Sequence, residues 1–320
     1  MLIDISIFIL LFSFLNICDI IYIKHKDLER NAMCKKYIIS TDVTSDLPEN
    51  FLKENNIDIL YLTYNTGGID YNGNNSLSPK EFYQKMRDGE MTKTSQVSPE
   101  ATEATFEKIL LDGYDILHIG FSSGLSGSYN SARIAAENLL VKYPDSKIRV
   151  IDSLCASLGE GLLVFKAIEL KKQDKSLAEV ADWVEENKLH LCHMFTVDDL
   201  MYLHRGGRVS KASAIAGSIL GIKPILHVDN GGNLIPIGKV RGRKQSLIEL
   251  VDKMGEKMGD WENTTFAISH GDCEDEAFFV RDLVIKRFGI KNCIINYVGT
   301  VIGAHSGPKT MALFFMGNER

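Results

Sequence analysis

The run Ile116–Phe121 constrains this chain more than any other feature, because it shows no alternation of apolar and polar side chains. A strand with one wet face alternates with a period of two, whereas one buried on both faces does not. Burial on both faces requires helices above and below. The flanking segments supply them: Pro99–Leu111 and Ser131–Lys142 carry helical spacing, and Ile148–Asp152 is a further buried strand. Upstream, Tyr37–Ser40 reads as a strand, Glu49–Asn55 as a helix opened by Pro48, and Ile57–Tyr64 as a second strand. Ser78 and Glu81 form a capping box for another helix, which places Phe82 and Met86 on one face. Strands and helices in this order predict a parallel sheet with helices on both faces.

The pattern changes after about residue 160. Gly161–Lys172 and Leu177–Glu186 are consecutive helical segments with no strand between them. Ile222–Val228 and Leu234–Val240 flank Asp229-Asn230-Gly231-Gly232-Asn233, which predicts a hairpin around an Asn-Gly-Gly turn. A helix at Ser246–Met258, a strand at Thr265–Ser269, a helix at Asp275–Phe288 and strands at Cys293–Val298 and Met311–Met316 complete a mixed sheet with helices. The expectation is an α/β fold in two domains, residues 33–195 and 196–320, behind an apolar extension over residues 1–32. The length of 320 residues and the 45% hydrophobic content suffice for two such cores.

A net charge of −6 excludes a general electrostatic footprint for nucleic acid. The six cysteines form no C-x-x-C pair, so reduced thiols are expected rather than a disulfide framework or a zinc ribbon. His190, Cys192 and His193 are the densest set of metal-ligand types, and alternation along a strand accounts for them as well. No metal or organic cofactor is expected. Neither a G-x-x-x-x-G-K-[ST] loop, a G-x-S-x-G elbow nor an H-E-x-x-H helix occurs.

Small hydroxylated residues cluster in three segments read as loops that follow strands: Ser40–Asp46, Lys93–Gln96 and Ser122–Ser128. Ligands of open parallel sheets bind at the carboxyl ends of strands. The third loop also leads into a helix, whose free N–H groups favour an anion. Turns and caps explain any one of these loops alone. Gly299–Pro308 adds His305 between two turns, a potential hydrogen-bond donor to a carboxylate or a base. Cations gather at His204–Arg208, Lys223 and Lys239–Lys244, either as a solvated surface or as a docking face for an acidic partner.

Taken in order, these pieces resemble the DegV family of bacterial fatty-acid-binding proteins. The matching pieces are Asp42–Asp46, Thr94-Ser95-Gln96, Ser122–Tyr129, Asp152-Ser153, Arg205-Gly206-Gly207-Arg208, Ile222–Ile225, Lys239–Gly242 and Gly303–Pro308. The resemblance runs from about Lys36 to the C-terminus. It implies two α/β domains with one acyl chain in a tunnel between them. It places the carboxylate at Thr94, Ser95, Ser123 or Ser126 with the Gly124 and Gly127 backbone, and His305. It implies that the protein is a carrier rather than an enzyme. A separate fatty acid kinase would form the acyl phosphate for phospholipid synthesis, docking at Arg205, Arg208 and Arg241. Two positions depart from the family's usual pattern: Val97 stands where proline is common, and Lys309 where glycine is common. The competing readings are a Ser/His hydrolase, with Ser123 or Ser126, His305 and Asp42 or Asp152, and a dihydroxyacetone-kinase-like subunit.

The segment Leu2–Ile23 is strongly apolar. Its length suits a membrane anchor, which needs about 20 apolar residues, and Lys24, His25 and Lys26 suit a positive flank. Asp4, Asn16 and Asp19 interrupt it, and polar groups are costly in lipid. The pattern also lacks the features of a secretory signal. The preferred reading is translation from Met33 and a cytoplasmic protein; an anchor and an ordered accessory helix are the alternatives. Mass spectrometry of the native protein checks this: a first residue at Met33 is expected, and a membrane-bound form beginning at Met1 overturns it.

Overall fold

In β1, Tyr37–Asp42, every residue is buried, the polar Ser40, Thr41 and Asp42 included, so the first strand lies inside the protein. The computed structural model describes residues 36–210 and 221–320. The apolar segment Leu2–Ile23 and the readings attached to it lie outside the described residues. Helices are labelled here α1 (Glu49–Glu54), α2 (Pro79–Arg87), α3 (Pro99–Leu111), α4 (Ser128–Lys142), α5 (Leu158–Lys171), α6 (Leu177–Asn187), α7 (Met201–Arg205), α8 (Arg243–Lys257), α9 (Glu274–Phe288) and α10 (Thr300–Ser306). No helix among the described residues is long and apolar enough to cross a membrane.

The first sheet is parallel, as the unbroken run at residue 116 requires. Its order is β2-β1-β6-β7, with β2 at Asp58–Leu60, β6 at Asp115–Gly120 and β7 at Ile148–Asp152. The second sheet is mixed, in the order β10-β9-β8-β13-β11-β12. It contains β8 (Leu191–Thr196), the hairpin β9–β10 (Ile222–Val228 and Leu234–Arg241), β11 (Thr265–His270), β12 (Asn292–Tyr297) and β13 (Met311–Met316). The chain changes sheets between β7 and β8, through α5 and α6.

One element departs from the sequence reading. Ile57–Tyr64 is not a single strand. It breaks after Leu60, and the chain turns into a small antiparallel sheet in the order β4-β3-β5, with β3 at Thr63–Thr66, β4 at Ile69–Tyr71 and β5 at Thr92–Ser95. Leu60, Leu62 and Tyr64 are buried while Tyr61 is exposed, so the alternating pattern continues across the break and conceals it. The segment Lys93–Gln96, read as a loop, is largely the strand β5.

Helix α5 joins the two sheets. It packs on β1 and β6 of the first sheet and on β8, β11 and β13 of the second. Leu158 through Val164 are all buried, so its first two turns have no solvent face. Such an approach requires glycine. A methyl group on Gly161 would lie 2.5 Å from Ser45 O, and one on Gly159 would lie 2.2 Å from His193 Nε2.

The same turn buries the Glu160 carboxyl. It lies 2.8 Å from Thr41 Oγ1, 3.0 Å from Thr44 Oγ1 and 3.3 Å from the Asp42 amide N. Thr41 Oγ1 also lies 2.8 Å from Ile119 O, and a hydroxyl has one proton to give. A protonated Glu160 serves both contacts. Burial, and the nearby Asp42 carboxyl, hold Glu160 well above the usual carboxylate range. Burial raises Asp42 in the same way, against the bond it accepts from the Phe121 N–H.

Asp46 is the third buried acid. Its carboxyl accepts from Ser157 Oγ and from the Gly299 amide at the start of α10, and its backbone oxygen accepts from Asn296 Nδ2 at 2.8 Å. Burial pushes it up to about 7 despite these bonds. A carboxyl whose folded value is raised contributes stability that is complete below the unfolded value and lost as pH rises through the folded one. A rise of about three units corresponds to about 4 kcal/mol lost between roughly pH 4 and pH 7. Asn mimics the protonated acid, so Asp46→Asn is expected to flatten the fall in urea-unfolding free energy over that range. An unchanged slope rejects the assignment.

Candidate functional site

A cavity opens between the small sheet, the second sheet and α10, with about 230 Å³ available to the centres of water-sized molecules. One water requires about 10–15 Å³ by this measure, so the space suits an occupant on the order of fifteen to twenty heavy atoms. Most of its walls are apolar, with Leu62, Phe121, Leu234, Val301 and Ile302 among them. Its floor is the inner face of β8 and β13. His193 pairs with Phe314 and Phe195 with Ala312 across the two strands, and all four side chains line the cavity.

The polar groups gather at Thr94 and His305. Thr94 Oγ1 lies 2.7 Å from His305 Nε2. β5 presents Thr94, and α10 presents Val301, Ile302, His305 and Ser306 on its cavity side. His305 therefore sits in a helix, not between turns; Gly299 begins that helix and Gly307, at φ +80°, ends it. Burial, with the nearby Arg208 guanidinium, lowers His305 to about 4, so the imidazole is neutral around pH 7. Its Nδ1 is buried without a hydrogen-bond partner.

The Arg205–Arg208 loop closes over this ring. A methyl group on Gly206 would lie 2.1 Å from His305 Nδ1. Arg208 turns inward. Its Nε and Nη2 donate to Leu125 O at 3.2 and 2.9 Å, its Nη1 donates to Gly206 O, and the side chain lines the cavity. Among the described residues no carboxylate pairs with it.

Five of the seven residues expected at a head group therefore line one cavity: Thr94, Ser95, Ser126, Gly127 and His305. Ser123 and Gly124 do not. Ser123 is exposed and its amide donates to Asp152 Oδ1 at 3.1 Å. Gly124 faces the hairpin turn, where a methyl group would lie 2.7 Å from Gly231 O. Arg205 is exposed, with its guanidinium 5.5 Å from the Tyr202 ring centre, and Arg241 is exposed at the end of β10. Ser157, which the sequence did not single out, and His193, noted there only among metal-ligand types, also line the cavity. His193 is locked by its neighbours: Nε2 accepts from the Ala156 N–H at 3.2 Å, and Nδ1 lies 3.3 Å from Leu191 O.

The hydrolase arrangement does not form. The hydroxyl beside His305 belongs to Thr94, and Ser126 Oγ lies 3.0 Å from Ser128 Oγ. Asp42 accepts from the Phe121 amide, and Asp152 from the amides of Ser123 and Leu154. Among the described residues, no group of three His, Cys, Asp or Glu side chains is arranged to hold a metal.

The two departures from the usual family pattern have local accounts. Val97 donates its N–H to Ser128 Oγ at 3.3 Å, a bond proline lacks. Lys309 has φ +60°, the left-handed region where glycine is the usual occupant.

These features define an α/β protein whose two main sheets and one small sheet enclose an apolar-walled cavity with a hydroxyl–imidazole pair. The sequence model of the DegV family, described as uncharacterised proteins, matches residues 36–318, and the chain belongs to this family. A DegV domain-containing protein of Clostridium perfringens is 43% identical over 288 residues, covering 89% of this chain and 99% of that protein. A fatty-acid-binding DegV family protein from Thermus thermophilus superposes with a TM-score of 0.79 at 28% identity, covering 88% of this chain and 99% of that one. DegV of Bacillus subtilis, a fatty acid binding protein, gives 0.76 at 29% identity, covering 89% and 100%.

Gly206→Ala is expected to displace the His305 ring and break its contact with Thr94, at a cost of about 1–3 kcal/mol for overpacking. Urea unfolding together with the His305 ring resonances checks this. An unmoved resonance overturns the assignment.

Proposed function

We propose that this protein binds one long-chain fatty acid in the cavity and presents its carboxylate to a fatty acid kinase, which forms the acyl phosphate used in phospholipid synthesis. One observation carries the reading: an apolar cavity of acyl-chain size whose polar groups sit together at Thr94, His305 and Arg208. The fatty-acid-binding relatives support it. Each methylene moved from water contributes about 0.8 kcal/mol, so a chain of ~14 gains roughly 11 kcal/mol before ordering costs. A triose leaves these walls unfilled.

The carboxylate needs donors, since a buried charge without them offsets that gain. Thr94, Ser95, Ser126 and the Gly127 backbone supply neutral ones, and His305 completes the set. Arg208 joins it from the wall, which changes the role expected of that residue from docking to carboxylate recognition. Arg205 and Arg241 remain exposed and form the candidate docking surface.

Native mass spectrometry of freshly purified protein is expected to show an adduct of fatty-acid mass, and its consistent absence overturns the reading. Thr94→Ala and His305→Ala are expected to weaken acyl binding and kinase-dependent phosphorylation together. Arg205→Ala is expected to lower phosphorylation with lipid retained, and Arg208→Ala to lower both. A carboxylate beside His305 favours its charged form. Its NMR titration midpoint should therefore lie near 4 in delipidated protein and move upward on loading.

A further inference from the structure

Arg320 lies beyond residues 36–318, the span matched by the family model, yet it is only 6% exposed. Its guanidinium has five N–H donors, and all five are used. Nε donates to Leu191 O at 3.0 Å. Nη1 donates to Leu154 O at 2.8 Å and to Asp229 O at 3.1 Å. Nη2 donates to Lys188 O at 2.7 Å and to Cys155 Sγ at 3.1 Å. Among the described residues no carboxylate pairs with it, so backbone carbonyls and a thiol alone hold the charge.

The acceptors come from three separate segments, and each continues into a wall of the cavity. Leu154 and Cys155 lead into Ala156 and Ser157. Lys188 and Leu191 lead into His193 on β8. Asp229 opens the turn between Val228 and Leu234. The segments also touch one another. A methyl group on Gly232 would lie 3.2 Å from Leu154 Cα, Ser122 Oγ donates to Gly232 O at 2.9 Å, and Ala156 N–H meets His193. Leu154 and Ser157 have φ +52° and +54°, a backbone that L residues keep only when their surroundings hold it. The Arg320 charge adds to burial in keeping His193 neutral.

We infer that Arg320 is a positioning residue that fixes three wall segments of the cavity against one another and thereby sets which acyl chain lengths the protein accepts. This rests on the fatty-acid reading. Arg320 does not touch the cavity itself. It acts through Ala156, Ser157, His193, Val228 and Leu234, not through the Thr94–His305 pair.

The test measures dissociation constants for myristate, palmitate, stearate and arachidate with the wild-type protein and with Arg320→Ala. The wild type is expected to prefer one length. The variant is expected to lose about tenfold in affinity for that length, and to discriminate less among the four. A merely structural role lowers thermal stability but leaves the ratios among the four unchanged, and that outcome overturns the inference. Should Arg320→Ala fail to fold, Arg320→Lys replaces it. Lys keeps the charge on a single centre that cannot span three segments, so the same flattening is expected at smaller size. Wild-type protein that binds none of the four fails the fatty-acid reading instead, which keeps the two failures distinct.

Discussion

The passage of α5 between the two main sheets is the constraint on which the rest depends. Its first turns have no solvent face, so every group on them must be accounted for inside the protein. Gly159 and Gly161 provide the clearance, one against His193 and the other against Ser45. Glu160 then brings a carboxyl into the seam between the strand ends of the first sheet, where Thr41 and Thr44 receive it. Removing a charge from water costs several kcal/mol, and the proton that neutralises Glu160 is the cheaper solution. The hydroxyl-rich segment after β1 is thus occupied largely by this internal task, not by the ligand.

The cavity follows from the same geometry. With α5 wedged between the sheets, β8 and β13 turn a largely apolar face toward the small sheet and α10, and among the described residues no side chain fills the space between them. The polar end is assembled from distant segments. Thr94 comes from the small sheet, His305 from a helix near the end of the chain, and Arg208 from a loop that glycine allows to lie flat on the imidazole. Asp46 ties this assembly to the first sheet through the start of the His305 helix.

Much of the fold was legible because burial leaves a pattern. Pro99–Leu111, Ile148–Asp152, the hairpin strands and Met311–Met316 follow their periodicity and caps closely. The small sheet was not legible, since Leu60, Leu62 and Tyr64 keep one alternation across two different sheets. Thr94, Ser95, Ser126, Gly127 and His305, singled out by their motifs, all line the cavity. Ser123 and Gly124 share a motif with Ser126 and Gly127 but face another direction, which only the loop geometry decides. Arg208 looked like one of several surface cations, because nothing in its local sequence shows that the side chain bends inward to Leu125 O. Ser157 and His193 acquire their positions from the α5 seam and were hidden for the same reason.

The cavity is also a gap in the core. Side chains around an empty space forgo the dispersion contacts that the rest of the interior enjoys. An occupant restores them, and a ligand that binds only the folded chain stabilises it by an amount that grows with its concentration relative to Kd. On the proposed function, an acyl chain held there behaves as a removable piece of the protein's own interior. The stability of the folded chain then rises with the concentration of its ligand relative to Kd. On that reading, protein without a bound acyl chain is the fraction most readily opened.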